Sequence, residues 1–335
     1  MPTPHSRLLL AAACLVPVLA GPSVAASAAS GGRLPATTLT TLQGDDVYES
    51  SGLVDRGRIL YTINDSGDAA VVYGVDARTG ETVSRTSYAP SVHDVEALAP
   101  GADGTVWAGD IGDNRADRDS IAVYRVRPVG GEQRAAAHLL RYPDGPRDAE
   151  TLLVQPRTQR VFVVSKSVFG GTVYVAPKRL TTGGTPQQMT VFAHVGGLVT
   201  DGTFLPDGRH VLLRTYTSAS VYTFPGFALV GTVRLPEQPQ GEGISVSRSG
   251  RVLLSTEGVH TPVLQVRLPS SLLRGAPPSG QPDATAPSTR APSAADRADR
   301  PDHRRRDAGA WAGIALVALA LAGVAFLASR RGPRR

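Results

Sequence analysis

Asp94-Val95-Glu96-Ala97-Leu98-Ala99, a turn at Asp103-Gly104, then Val106-Trp107 and the loop Asp110-Ile111-Gly112-Asp113-Asn114: the fold is read from this stretch. An acid opens a short apolar strand, a glycine turn reverses the chain, and a second apolar strand runs back. The same unit recurs. Glu49-Ser50-Ser51-Gly52-Leu53-Val54 leads through Arg56-Gly57 to Ile59-Leu60-Tyr61-Thr62-Ile63. Asp148-Ala149-Glu150-Thr151-Leu152-Leu153-Val154 leads to Val161-Phe162-Val163-Val164. Asp201-Gly202-Thr203-Phe204-Leu205 leads through Asp207-Gly208 to Val211-Leu212-Leu213. Gly241-Glu242-Gly243-Ile244-Ser245-Val246 leads through Ser249-Gly250 to Val252-Leu253-Leu254.

The acids Glu49, Glu96, Glu150, Asp201 and Glu242 are spaced by 47, 54, 51 and 41 residues. Third strands fit Val71–Val75, Ile121–Val126, Thr172–Val175, Ser220–Phe224 and Val263–Val266. Fourth strands fit Thr82–Tyr88, Ala136–Tyr142, Thr190–His194 and Leu229–Leu235. Four short strands per unit at this spacing predict an all-β fold, a β-propeller of five blades, or six if one blade is divergent. A two-sheet sandwich would leave the repeat unexplained. The fifth unit has no fourth strand, while Ala36–Leu42 is a spare strand before the first unit. It is expected to join the last blade and close the ring, which removes an open sheet edge.

In an antiparallel hairpin the start of the first strand lies beside the end of the second. The lead acids should therefore share one face of the ring with Asn64-Asp65, Asp110 to Asn114, Lys166, Arg214 and Glu257. The innermost strands line the channel, so this face is expected to be an acid-ringed mouth. Crowded carboxylates need a cation, shared protons or basic neighbours. Glu49, Asn64, Glu96, Asn114, Glu150, Asp201 and Glu242 offer hard oxygen ligands that suit Ca²⁺. Asp65, Asp94, Asp110, Asp113, Asp148, Lys166 and Glu257 border the same mouth as ligand-binding candidates. Lys166, Arg115, Arg118 and Arg214 offer the competing answer, salt bridges without metal. Asn64 and Asn114 are the only asparagines among 335 residues. As plain turn residues they would supply left-handed backbone.

Glu49-x-Ser51-Gly52-Leu53 with Asn64-Asp65-Ser66-Gly67, followed by Asp94-x-Glu96 with Gly109 to Asn114 and Arg118, resembles a group of largely uncharacterised secreted bacterial propeller proteins. The match is strongest over residues 48–126. More distantly, the acidic strand starts look like those of phytase-like and gluconolactonase/paraoxonase-like propellers. That resemblance implies calcium in a central acidic site and hydrolysis of a phosphoester, ester or lactone. Asp201 departs from the Glu pattern, and no dense Lys/Arg set marks a multiply phosphorylated substrate.

The chain ends point to a membrane. Residues 1–30 read as a secretory signal: Arg7, an uncharged run from Leu8 to Ala20, then small-residue cleavage patterns. Cys14, the only cysteine, lies in that run, so the mature chain would have no thiol or disulfide. Residues 31–270 form the propeller ectodomain. Residues 271–307, rich in Pro, Ser, Arg and Asp, read as a disordered stalk. Ala308 to Ser329 carries no charge and is long enough to span a bilayer as a helix. The tail, residues 330–335, holds four arginines and marks the cytoplasmic side. The formal net charge is +6. Residues 31–270 hold 23 basic and 24 acidic residues, so that excess lies outside the propeller and is not a nucleic-acid footprint.

No nucleophile elbow, phosphate-binding loop or paired-histidine zinc motif occurs. His93, next to Asp94 and Glu96, is the one candidate general base, against the plainer role of a hydrogen-bonded loop histidine. Two functional readings stand. One is a single-pass membrane protein whose outward-facing propeller binds a cell-surface small molecule, polymer or protein at the mouth. The other is a Ca²⁺-dependent hydrolase. In a third reading the acids only lock blade to blade.

Overall fold

The computed structural model describes residues 32–65 and 69–273. The expected signal segment and membrane helix, and nearly all of the stalk, lie outside those residues. Among the described residues no helix is long and apolar enough to cross a membrane.

The strands form five antiparallel units. Strand β1 (Ala36–Thr41) comes first. Blade 1 contains β2 (Ser50–Asp55), β3 (Ile59–Asn64), β4 (Val71–Asp76) and β5 (Thr82–Ser87). Blade 2 contains β6 (Val95–Pro100), β7 (Val106–Asp110) and β8 (Ile121–Val126) and, after the short β9 (Gly131–Glu132), β10 (Ala137–Arg141). Blade 3 contains β11 (Ala149–Val154), β12 (Val161–Ser165), β13 (Gly171–Val175) and, after β14 (Gln187–Gln188), β15 (Thr190–Val195). Blade 4 contains β16 (Asp201–Phe204), β17 (His210–Arg214), β18 (Ser218–Thr223) and β19 (Leu229–Arg234). Blade 5 contains β20 (Gly241–Val246), β21 (Val252–Thr256) and β22 (Pro262–Val266).

The ring closes as the repeat predicts. Strand β1 pairs antiparallel with β22 and supplies the outer strand of blade 5. The innermost strands β2, β6, β11, β16 and β20 pack each on the next, and β20 returns to β2. The protein is a five-bladed β-propeller. Its interior is divided by blade: five buried apolar clusters each join neighbouring blades, and the last brings Leu53 and Leu60 of blade 1 against Leu253 and Val263 of blade 5. Burial on both faces removes the alternation that marks a half-exposed strand. Polar clamps reinforce the seams. Ser51 Oγ donates to the Glu96 carbonyl (2.6 Å), and Ser245 Oγ accepts from the Asp55 amide (2.8 Å).

The turn between β6 and β7 shows one use of Asp-Gly. Asp103 (φ 53°) and Gly104 (φ 75°) are both left-handed, as a two-residue turn matched to strand twist requires. Two features have no counterpart in the sequence reading. Strand β9 pairs parallel with β5, and β14 pairs parallel with β10, so blades 1 and 2 gain a fifth strand from the chain of the next blade. Packing also continues past residue 270: the short helix α1 (Ser270–Leu273) buries Leu272 in the cluster between blades 4 and 5.

Candidate functional site

The mouth is built by backbone irregularity. Val95 pairs with Asp110 and Ala97 with Gly109, so Glu96 bulges out of the ladder. Ala149 pairs with Ser165 and Thr151 with Val164, which leaves Glu150 in the same place. In blade 5, Glu242 and Gly243 lie between the pairs Gly241–Thr256 and Ile244–Leu254. In blade 1, Ser51 and Gly52 lie between Ser50–Asn64 and Leu53–Thr62. A bulge re-aims side chains, and here it places an acid at the mouth in three of five blades.

The register of blade 1 needs a correction. Ser51, not Glu49, occupies the position of Glu96, Glu150 and Glu242. The Glu49 carbonyl accepts the Asp65 amide, as that of Asp94 accepts Gly112, that of Asp148 accepts Lys166 and that of Gln240 accepts Glu257. Glu49 therefore belongs with Asp94 and Asp148. Blade 4 lacks the bulge altogether. Asp201 is 1% exposed there and bridges blades, with Oδ1 on the Gly202 amide (2.7 Å) and Oδ2 on the Ile244 amide (2.7 Å).

Asp65, Asp94 and Glu96 come together at the seam of blades 1 and 2. Each offers an oxygen within 4.8 Å of the others. Glu96 is 3% exposed, shares a hydrogen bond with Asp65, and is pushed up to about 10 by burial and by the charge of Asp65. Asp94 is pushed up to about 6 by burial, with Asp65 and Asp148 adding to it. One buried oxygen of Asp94, Oδ1, has no hydrogen-bond partner. The loop after β7 makes room for the trio. A Cβ on Gly112 would lie 2.4 Å from Asp94 Oδ2 and 2.6 Å from Glu96 Oε1, so any side chain there would push these carboxylates out of their present arrangement.

That loop is held by its own acids. Asp110 accepts the His93 amide (3.1 Å) and the Asp94 amide (2.9 Å), and pairs with Arg118 (2.9 Å). Asp113 accepts the amides of Asp117 (3.0 Å) and Arg118 (3.1 Å), while Arg118 donates to the Gly112 carbonyl (2.6 Å). Asp148 accepts the Asp113 amide (2.9 Å). Asn64 does in blade 1 what Asp110 does in blade 2. Its Oδ1 accepts the amides of Tyr48 (3.1 Å) and Glu49 (3.2 Å), and its Nδ2 donates to the Asp46 carbonyl (2.8 Å). Asn114 is exposed, and neither asparagine has left-handed backbone; among described non-glycine residues that belongs to Asp103, Ala116, Gln159, Phe227 and His260. His93 is exposed and rims a surface cavity with Asp94, Asn114 and Arg118.

The other side of the mouth carries bases. Lys166 forms an ion pair with Glu150, donates to the Tyr216 hydroxyl (3.3 Å) and sits 5.7 Å from the centre of its ring. Arg214 is fully buried and donates to the carbonyls of Gly243 (2.8 Å) and Ser255 (3.2 Å), tying blade 4 to blade 5. Burial lowers it to about 10, against the opposing charges of Asp201 and Glu242. Glu242 is pushed up to about 8 by burial, while Lys166 and Arg214 hold it down. Glu257 is raised by burial and by Asp65 and Glu49, and accepts from Gln240 (2.5 Å). Tyr216 and Gly112 were not among the sequence candidates. The signal for Tyr216 was its place in the loop just past the end of β17, as Asp65 and Lys166 begin the loops after their own second strands.

No protein-family model matches this chain, and no curated protein does. Among solved structures, one similar fold is the PQQ-bound aldose sugar dehydrogenase from Streptomyces coelicolor. The two are 14% identical with a TM-score of 0.39, over 70% of this chain and 98% of that one. With so low a score, the five-blade assignment rests on this chain's own strand pairing, and no cofactor is carried across.

Proposed function

We propose that this chain is a membrane-anchored, extracytoplasmic propeller that binds a divalent cation at its acidic mouth and, with it, a ligand or partner at the cell surface. The observation that carries the reading is the spacing of Asp65, Asp94 and Glu96. Two oxygens on one Ca²⁺, each at roughly 2.4 Å, are at most about 4.8 Å apart. The trio's oxygens fall within 4.8 Å of one another, which fits a single ion. Three carboxylates leave part of the roughly six to eight oxygen positions of Ca²⁺ to water, backbone or a ligand. Asn64, held by backbone on both ends of its amide, is better suited to shaping the loop than to joining that set. The anchor reading is supported by the uncharged segment Ala308 to Ser329 and its arginine flank.

A Ca²⁺-dependent hydrolase is the second reading. It is favoured by His93, which rims a surface cavity beside Asp94 and lies outside the ligand set, where a general base would stand. One experiment addresses both. The purified full-length chain is stripped of metal and melted with and without Ca²⁺, then incubated with lactone, aryl-ester and phosphoester substrates. Binding predicts a rise in melting temperature with Ca²⁺, because a ligand of the native state stabilises it by mass action. No rise sinks both readings. A rise without turnover leaves the binding protein.

A further inference from the structure

The inner strands end at Asp55, Pro100, Val154, Phe204 and Val246, roughly 13 Å along the channel from Glu96, Glu150 and Glu242. A cavity of about 340 Å³ lies at that end. It falls within the range usual for small-molecule sites, about 300–1,000 Å³. All five blades line it. Val54, Pro100, Val154, Phe204, Pro206 and Val246 make its walls apolar.

The charge at this end is opposite to that of the mouth. Four charged residues line the cavity: Asp55, Arg56, Asp103 and Arg248. Asp55 is already engaged, by Arg251 through Nε (2.9 Å) and Nη2 (2.6 Å) and by the Gly57 amide (2.7 Å). The Asp103 side chain is 82% exposed and faces Arg125 at 3.9 Å. Arg56 and Arg248 remain without a carboxylate among the described residues. Arg56 is braced in place, its Nη2 donating to the carbonyls of Gly101 (2.7 Å) and Thr105 (3.0 Å). Its Nε is buried and has no partner. Burial and the nearby charge of Arg248 both lower its affinity for its proton.

We infer that this cavity binds an amphipathic carboxylate, its apolar body in the end of the channel and its head between Arg56 and Arg248. A guanidinium presents its donors in a planar fork that matches a carboxylate, and the Nη2 bonds of Arg56 fix that fork at the cavity. The apolar wall and its prolines bring few donors, so a fully ionised phosphate with more oxygens to satisfy fits less well.

The test is calorimetric titration of the full-length chain with sodium 4-phenylbutyrate and with 4-phenylbutanamide, its neutral counterpart. The carboxylate should bind at submillimolar concentration and the amide at least tenfold more weakly. Arg248 is exposed, so Arg248→Gln should fold; it should weaken the carboxylate at least tenfold and leave the amide unchanged. Arg56→Lys keeps the charge and loses the fork, and should weaken the carboxylate by a smaller factor. Equal binding of carboxylate and amide, no response to Arg248→Gln, tighter binding of inorganic phosphate, or no binding of 4-phenylbutyrate would each overturn the assignment.

Discussion

Replacing Glu96 by Gln should stabilise the metal-free protein and abolish most of its response to Ca²⁺. Glu96 has an ordinary value of 4.5 and is pushed up to about 10 in the fold, by burial first and the charge of Asp65 second. A folded value above the unfolded one means that the native state holds the proton more tightly. This contribution is fully present below about pH 4.5 and is lost as pH rises toward about 10. By pH 7 the loss integrates to about 3 kcal/mol, at about 1.36 kcal/mol per pH unit. Gln cannot ionise, and its amide can still donate to Asp65. At pH 7 in chelator, Glu96→Gln should therefore melt higher by several degrees, since about 1 kcal/mol corresponds to roughly 2–4 °C in a domain of this size. Its melting should also vary less with pH than that of the wild type. Ca²⁺ at a hundredfold excess over its dissociation constant should stabilise the wild type by about 2.7 kcal/mol, and the variant by less than half of that. The assay is differential scanning calorimetry from pH 5 to 9, in chelator and in Ca²⁺. A variant that melts below the wild type in chelator at pH 8, or one with an undiminished Ca²⁺ shift, would refute the reasoning.

Gly112→Ala places a Cβ 2.4 Å from Asp94 Oδ2 and should weaken Ca²⁺ binding at least tenfold by calorimetric titration, with a much smaller effect on melting in chelator. Arg214→Met strips the Gly243 and Ser255 carbonyls of a buried charged donor between blades 4 and 5 and should cost about 1–3 kcal/mol in urea denaturation. Deleting residues 32–41 removes β1, leaves β22 as an open edge and should raise the aggregated fraction on size-exclusion chromatography relative to the full chain.

The ring was legible because the repeat is a local signal. Each acid, glycine turn and apolar return strand could be counted, and the spare Ala36–Leu42 had one vacant place to fill. The bulges were not legible. Strands β2, β6 and β11 are buried on both faces, so no alternation shows where an extra residue enters, and Glu49 was aligned with Glu96 when Ser51 holds that position. The mouth's acids were placed on the correct face by hairpin geometry alone. Which of them meet was beyond that argument, because the Asp65–Asp94–Glu96 contact crosses two blades. Asn64 drew notice as a rare residue, yet it shapes backbone at the start of β2, a role its composition could not distinguish from ligation. The short parallel strands β9 and β14 carry no apolar run, and Gly131-Glu132 and Gln187-Gln188 read as loop.

The claim that Asp65, Asp94 and Glu96 hold a divalent cation is tested most directly by soaking crystals of the protein in Mn²⁺ and recording anomalous scattering. The account predicts one strong peak bonded to oxygens of all three residues, and its loss in Glu96→Gln crystals. No peak at the mouth, or a peak that persists unchanged in the variant, would contradict it.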